Sequence, residues 1–236
     1  MLGWHNETIL FAILPFHFYY TLYRHIEDAQ PIDAVVFLLY FIGVAICFAC
    51  SAGCHVVWNH SPPVASLGNR LDFSDIVILM WGASLASIHF AFICDPWLRT
   101  VHWALVSASA AGCIAFTLYP VFIKPAFRVA RAGMYASLGL FAVVFAMHGV
   151  YLYGFTVQRR RLALEWMVLM ALLNFMGAAF YALRKPGFLI DSTSWEQVIN
   201  FSMCWFWLLE GWLAPFSRLE GCSIRVKMSQ YSREED

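Results

Sequence analysis

Long apolar runs separated by short polar breaks recur along the chain, and they constrain its fold more than any other feature. Seven of these runs come close to the about 20 mostly apolar residues that a helix needs to cross a bilayer core. The runs are roughly Thr8–Tyr23, Ala34–Trp58, Ile76–Cys94, Leu98–Ile123, Ala132–Phe155, Leu162–Leu183 and Trp195–Phe216. The breaks between them, such as "NHSPP" and "RKPG", contain residues that end helices. The sequence therefore predicts an all-α membrane protein, a seven-transmembrane helix bundle.

Composition supports this class of fold. Of the 236 residues, 61% are hydrophobic and 13% are charged, whereas a soluble domain averages about 45–50% apolar and about 25% charged residues. We expect one transmembrane domain over residues 1–236, in which residues 217–236 form a polar, disordered tail. The formal net charge is zero, which argues against nucleic acid as a partner. The expected partner is the lipid bilayer, and we expect a multi-pass protein of the endoplasmic reticulum.

Cysteines and loop arginines are expected to have structural roles. The seven cysteines lie mostly within apolar runs, which is typical of small buried side chains and indicates neither a disulfide framework nor a thiolate metal site. The "RRR" at 159–161 is expected to be a solvated loop. Arg128 and Arg131 are expected at the level of the lipid headgroups, where they would anchor the fifth span.

Ionisable residues at membrane depth are the candidates for function, because each is costly to place there. Ser51 and His55 share one face near the end of the second span, and Asp72 and Asp75 share one face near the start of the third. Helices joined by a short loop are normally antiparallel neighbours, so these residues are expected to form a polar cluster. Two simpler interpretations stay open: the aspartates as helix N-terminal carboxylates favoured by the dipole, and His55 as an imidazole bonded to a neighbouring backbone.

Four motifs in order along the chain resemble a known family. They are "S-A-x-x-H" closing the second span, "L-D-F-S" opening the third, "F-R-x-x-R-A-G-x-Y-x-x-L-G-L" leading into the fifth, and "P-G" followed by "E-Q-V-I-N" entering the seventh. Together with the opening "GWHNET", they are similar to the progestin and adipoQ receptor / hemolysin III family. The resemblance implies seven helices with a cytosolic N-terminus, although the count of Lys and Arg alone favours the opposite orientation.

The resemblance also implies a zinc site and a class of activity. Members hold one zinc ion through a histidine of the second helix and an H-x-x-x-H pair of the seventh, and the motif serine and aspartate lie nearby. Several act as ceramidase-like hydrolases or as receptors for lipids and hormones. In this chain the two seventh-helix histidines are replaced by Glu196 and Asn200, counting from Pro186 and Gly187. Because a neutral amide is a poor zinc ligand, we expect no cofactor; a retained zinc would be bound by His55 and Glu196.

Carboxyls in an apolar bundle favour acid chemistry. Burial and a neighbouring carboxyl both favour the protonated form, so Asp72, Asp75 or Glu196 is expected to act as a general acid. His55 and Asn200 would orient that acid or bond the oxygen that it protonates, and Ser51 is a further expected catalytic residue. The residues expected to line a substrate pocket, in which aromatic faces stabilise cations, are His148, Phe201 and Trp205.

The leading functional hypothesis combines these features with a second resemblance, to fungal membrane-integral terpene cyclases related to hemolysin III. It predicts an isomerase or lyase of secondary metabolism, which closes the isoprenoid chain of a prenylated small molecule to give a meroterpenoid. Two alternatives stay open. One is a non-catalytic receptor or lipid-sensing protein, in which Glu196 and Asn200 bond across helices. The other is a zinc-dependent lipid amide hydrolase that uses His55, Glu196 and Asp72.

Overall fold

The computed structural model describes residues 31–57, 60–123 and 125–183, which contain helices and no strand. The α-helices are α1 (Pro31–Val57), α2 (Pro62–Ala91), α3 (Pro96–Leu118), α4 (Arg128–Tyr153), α5 (Phe155–Leu162) and α6 (Leu164–Leu183). Short 3-10 turns, Pro120–Ile123 and Pro125–Phe127, connect α3 to α4. The predicted first and last spans, and the tail at 217–236, lie outside the described residues. The single domain over residues 1–236 therefore stays a prediction.

Four of the described helices, α1 to α4, are long and apolar enough to cross a membrane, and Leu164–Met176 within α6 is a shorter apolar helix. Their order along the chain agrees with the second to sixth predicted spans. The prediction of an all-α membrane protein is confirmed.

Helix α2 lies at the centre of the described bundle. It packs against α1, α3, α4 and α5, and 56% of its most apolar window is buried, compared with 33% for α1 and 22% for α4. Its fully buried side chains include Val77, Leu79 and Ile88. Because α2 contacts four helices, its polar residues are placed where several helices meet.

Two glycines allow α1 and α2 to approach closely. A Cβ atom added at Gly82 would lie 3.1 Å from the carbonyl oxygen of Leu39 and 3.2 Å from the Cα atom of Tyr40. A Cβ atom added at Gly43 would lie 3.3 Å from the carbonyl oxygen of Ile78. Small residues at such contacts let helix backbones pack together in membranes. The α1–α2 contact brings the second and third predicted spans together, as expected from their short connection.

Helix α2 begins well before the apolar run from which its span was predicted. Ser61 has an extended backbone conformation as the N-cap residue, and Pro62 occupies the first helical turn, a position that suits proline. The start at Pro62 places Asp72 and Asp75 several turns inside the helix. Because the effect of the helix dipole falls off within the first turn, the interpretation of these aspartates as N-terminal carboxylates is wrong.

The segment between α4 and α6 is a separate short helix and not the solvated loop that was expected. Gly154 (φ 84°) ends α4, and Ala163 (φ 43°) separates α5 from α6. Both residues have left-handed φ values, which allow the chain to change direction on each side of α5. Arg159 and Arg160 are exposed, whereas Arg161 is 2% exposed. The three arginines therefore lie on different faces of one helix.

Candidate functional site

Two members of the predicted polar cluster, Asp72 and Asp75, lie near thiols of α1. We name this group the aspartate cluster, which consists of Asp72, Asp75, Cys47, Cys50 and Cys54. The Asp75 side chain is 2% exposed, and the Cys47 thiol donates a hydrogen bond to its Oδ1 atom over 3.7 Å. Cys50 and Cys54 lie within electrostatic range of both aspartates. A buried carboxyl here faces a row of thiols.

The thiol row follows from the spacing of cysteines along α1. Positions three, four and seven residues apart share one face of a helix, and Cys47, Cys50 and Cys54 have this spacing. All three are thiols that form no disulfide, and the Cys54 thiol donates to the carbonyl oxygen of Gly68 over 3.1 Å. The C-x-x-C spacing of Cys47 and Cys50 was a visible signal that the sequence interpretation passed over.

The structure gives fewer contacts for the other predicted site residues. Asp72 and Ser51 are half-buried, and the structure records no side-chain hydrogen bond between Ser51 and Asp72 or Asp75. His55 lies in the last turn of α1. The roles of these residues stay predictions. The remaining predicted residues, which lie outside the described part of the chain, are Glu196, Asn200, Phe201 and Trp205.

Residues of the second and third predicted motifs help to hold α3 and α4 against α2, beside the aspartate cluster. The Ser74 hydroxyl donates to the carbonyl oxygen of Arg70 over 2.9 Å and lies 3.1 Å from Oγ1 of Thr117. The Tyr135 hydroxyl donates to the carbonyl oxygen of Phe73 over 3.0 Å. The "L-D-F-S" and "R-A-G-x-Y" motifs therefore meet in space.

Arg131 belongs to the same contact region. Its side chain is 5% exposed, and its guanidinium lies 5.2 Å from the centre of the Phe73 ring. It also donates a hydrogen bond to the carbonyl oxygen of Phe122. The Arg131 side chain thus packs inward on α2, and its expected place at the level of the lipid headgroups stays a prediction.

The residues of this region do not fit a catalytic zinc ion. Within residues 31–57, 60–123 and 125–183, no three His, Cys, Asp or Glu side chains form a group that could hold a metal. At the positions of the implied ligand set, the chain has one imidazole, one carboxyl and one amide: His55, Glu196 and Asn200. Catalytic zinc generally has three good donors, and an uncharged amide is a weak one.

A second polar cluster lies at the opposite end of α2. Nε2 of His89 is 2.7 Å from Oδ1 of Asp33, and Nη1 of Arg99 is 3.3 Å from Nδ1 of His89. Asp33 and His89 are each 1% exposed. His89 follows Asp75 by 14 residues, which corresponds to about 21 Å along a helix axis. Sequence reasoning missed Asp33 because no local pattern links residues so far apart in the chain.

His148 also lies at this second end. Its Nδ1 atom is 3.0 Å from Nε2 of His102, and the His102 ring stacks on Phe92 with centroids 4.7 Å apart. Phe92 follows Asp75 by 17 residues, about 25 Å along the axis. The structure thus does not bring His148 together with Asp75. A role of His148 in a substrate pocket stays a prediction.

The cysteine near this end departs from expectation. Cys94 is disulfide-bonded, whereas the sequence predicted buried thiols throughout. Cys94 is the last residue of the predicted apolar run Ile76–Cys94, and it lies in the turn after α2. Because apolar context does not distinguish a buried thiol from a disulfide, the sequence did not predict this bond.

Comparison with known proteins identifies a family for almost the whole chain. The model of the family described as "Haemolysin-III related" matches residues 3–208. The Adiponectin receptor protein of Drosophila melanogaster is 32% identical over 167 residues, 71% of this chain and 38% of the relative. Progestin and adipoQ receptor-like protein 1 of Caenorhabditis elegans is 29% identical over 154 residues, 65% of this chain and 36% of the relative.

A plant relative extends the comparison. Heptahelical transmembrane protein 4 of Arabidopsis thaliana is 26% identical over 200 residues, which are 78% of this chain and 52% of the relative. The matched part of this chain thus spans between about a third and about half the length of these three relatives. None of the three is named as an enzyme.

Proposed function

Because this chain belongs to the haemolysin-III related family of seven-helix membrane proteins, we propose that it is a receptor-type member. It binds a membrane-soluble, lipid-like ligand and leaves that ligand chemically unchanged. Two relatives that share 32% and 29% of aligned residues with it are named as receptors or receptor-like proteins. The chain aligns with only part of their length, so its ligand is inferred from its own residues.

The composition of the aspartate cluster carries this proposal. Asp75 is buried beside the thiols of α1, and the described residues around it do not form a metal-binding group. Ligand sites are mostly apolar, with a few polar groups that fix orientation. A buried carboxyl in an apolar bundle suits a hydroxyl or amide group of a lipid, which it can bind by a hydrogen bond.

The absence of a suitable zinc donor set argues against the amide hydrolase. Such a hydrolase uses the metal to activate water and to polarise the amide carbonyl. With Glu196 and Asn200 at the two histidine positions, the chain retains the family's fold without its full set of zinc ligands. Ligand binding needs neither of these steps.

A second candidate, the terpene cyclase, is favoured by one observation: Asp75 is a carboxyl held at 2% exposure in a helix that crosses the membrane. In that reaction an acid would protonate an epoxide oxygen of a prenylated substrate, and the C–O bond would open. Alkene π electrons would close the rings, and loss of a proton to the conjugate base would restore the acid. The net reaction is an isomerisation that needs no cofactor.

Incubation with ligands of each class tests the proposal. The full chain in nanodiscs is incubated with a steroid, a short-chain ceramide and a farnesylated aromatic epoxide, and the extracted compounds are separated by chromatography. We expect saturable binding of at least one compound and full recovery of all three unchanged. Ceramide cleavage would support the hydrolase, whereas a cyclised isomer would support the cyclase; either result contradicts the receptor proposal.

A further inference from the structure

Arg161 is a buried cation for which residues 31–57, 60–123 and 125–183 supply no anionic partner. Its side chain is 2% exposed, and its Nη2 atom donates to Sγ of Cys94 over 3.3 Å. Its Nε and Nη1 atoms are buried and have no hydrogen-bond partner within the described part of the chain. The guanidinium lies 5.0 Å from the centre of the Tyr153 ring. The guanidinium of Arg161 therefore contacts a sulfur atom and an aromatic face.

Burial lowers the pKa of Arg161 from its usual value, yet an arginine remains charged at neutral pH. Nearby carboxyls are engaged elsewhere: Asp95 accepts a hydrogen bond from the Tyr153 hydroxyl, and Glu165 accepts one from Arg159. Removing one partner of a buried ion pair is strongly destabilising. The site therefore has the electrostatic character of an ion pair that lacks its anion.

Gln158 adds a second unsatisfied group on the same helix. Its side chain is fully buried, and its Nε2 atom donates to the carbonyl oxygen of Ala91 over 3.2 Å. Its Oε1 atom has no hydrogen-bond partner among the residues that the structure describes. Gln158 and Arg161 are three residues apart, so they share one face of α5. This face has two N–H donors, Nε and Nη1 of Arg161, and one acceptor, Oε1 of Gln158. A phosphate group with a neighbouring hydroxyl could bond to all three.

The position of α5 indicates where such a phosphate comes from. Helix α4 is a candidate membrane span that ends at Tyr153, and α6 begins a further apolar helix at Leu164. The short helix between them therefore lies at a membrane surface. Because the donors of Arg161 are enclosed, a ligand would have to displace part of α5 to reach them. Gly154 and Ala163, which have left-handed φ values, flank this helix.

We propose that Arg161 and Gln158 form a binding site for the phosphate of an anionic lipid headgroup. The phosphate oxygens accept hydrogen bonds from Nε and Nη1 of Arg161, and a headgroup hydroxyl donates to Oε1 of Gln158. The site is separate from the aspartate cluster, so it does not depend on the proposed receptor function.

Thermal unfolding in nanodiscs of defined lipid tests this site. The full chain is compared in phosphatidylcholine alone and in phosphatidylcholine with phosphatidylglycerol, because a ligand that binds the folded state raises Tm. We expect phosphatidylglycerol to raise the Tm of the wild type by several degrees. Arg161→Gln should lose this rise, whereas Arg160→Gln, a matched change at an exposed neighbour, should retain it.

Addition of inorganic phosphate to the phosphatidylcholine nanodiscs distinguishes the source of the anion. Stabilisation by phosphatidylglycerol alone supports a lipid site, whereas equal stabilisation by inorganic phosphate contradicts the lipid assignment. An equal rise in Arg161→Gln and wild type would also overturn the proposal, because it would reflect general surface charge. If Arg161→Gln does not fold, the wild-type comparison decides, and an unchanged Tm contradicts the site.

Discussion

The imidazole of His89 joins Asp33 to Arg99 through its two ring nitrogens. Its Nε2 atom is 2.7 Å from Oδ1 of Asp33, and its Nδ1 atom is 3.3 Å from Nη1 of Arg99. Because arginine has donors and no acceptor, Nδ1 must accept, and the ring proton is on Nε2. His89 therefore donates to Asp33, and one neutral ring connects a carboxylate to a guanidinium across α1, α2 and α3.

This relationship predicts that His89 stabilises the bundle. Replacement of His89 by Leu leaves Asp33 buried without this donor, and we expect a loss of about 3 kcal/mol in the free energy of unfolding. Asp33→Asn should cost less, since an amide oxygen still accepts from Nε2. Thermal unfolding in detergent measures both effects. His60→Leu, at an exposed position, is the control; equal Tm values for the two leucine variants would contradict the prediction.

The contact between α1 and α2 predicts a steric effect at Gly82. The added methyl group of Gly82→Ala meets the backbone of Leu39 and Tyr40, which cannot move aside as a flexible side chain can. We expect a loss of about 1–3 kcal/mol, as for overpacked cores. Gly112→Ala is the matched control, because nothing lies within 4 Å of its added Cβ atom. A Tm for Gly82→Ala at or above that of Gly112→Ala would refute the close contact.

The meeting of two motifs predicts a role for the Tyr135 hydroxyl. Tyr135→Phe removes the hydrogen bond to the carbonyl oxygen of Phe73, and such a bond is worth about 1 kcal/mol. Tyr151→Phe on the same helix is the control, since Tyr151 is 86% exposed. We expect a lower Tm for the first variant and an unchanged Tm for the second. The prediction fails if the two variants unfold at the same temperature.

The receptor proposal predicts that Asp75 contributes to ligand affinity. Asp75→Asn keeps the size of the side chain and replaces its carboxyl by an amide, and we expect the Kd of the bound lipid to rise about tenfold, equivalent to about 1.4 kcal/mol. Glu165→Gln makes the same change at an exposed carboxyl and should leave Kd unchanged. Titration of nanodisc-embedded protein, followed by tryptophan fluorescence, gives both values. Unchanged affinity in Asp75→Asn would place the ligand elsewhere.

Periodic local signals explain which parts of the fold could be predicted. Apolar runs identified the described spans, because burial in lipid requires an apolar residue at nearly every turn. The start of α2 was missed because its first turns, from Pro62 onward, mix apolar residues with Ser66, Asn69 and Arg70 and precede the continuous apolar run. The "SPP" sequence was interpreted as the end of one helix, although proline in the first turn also marks the beginning of the next.

The features of the site that could not be predicted from the sequence depend on contacts between residues that are far apart in the chain. Asp75 was identified as a candidate from its expected depth in the membrane. Its neighbour Cys47 was interpreted only as a small side chain in the core, so their hydrogen bond was not predicted. Asp33 and His89 are 56 residues apart, and no spacing rule joins them. Arg161 was grouped with its neighbours by charge alone, although the helical turn of α5 buries it and exposes Arg159 and Arg160.

Chromatographic mass spectrometry of the ligand recovered after incubation tests the central claim most directly, because hydrolysis changes mass and cyclisation changes retention. After prolonged incubation with wild-type protein, the lipid-like ligand should be recovered with unchanged mass and retention time. Its binding should saturate near one molecule per chain. Recovery of a cleaved or cyclised product in amounts exceeding the protein would contradict the account, since it would make this chain an enzyme.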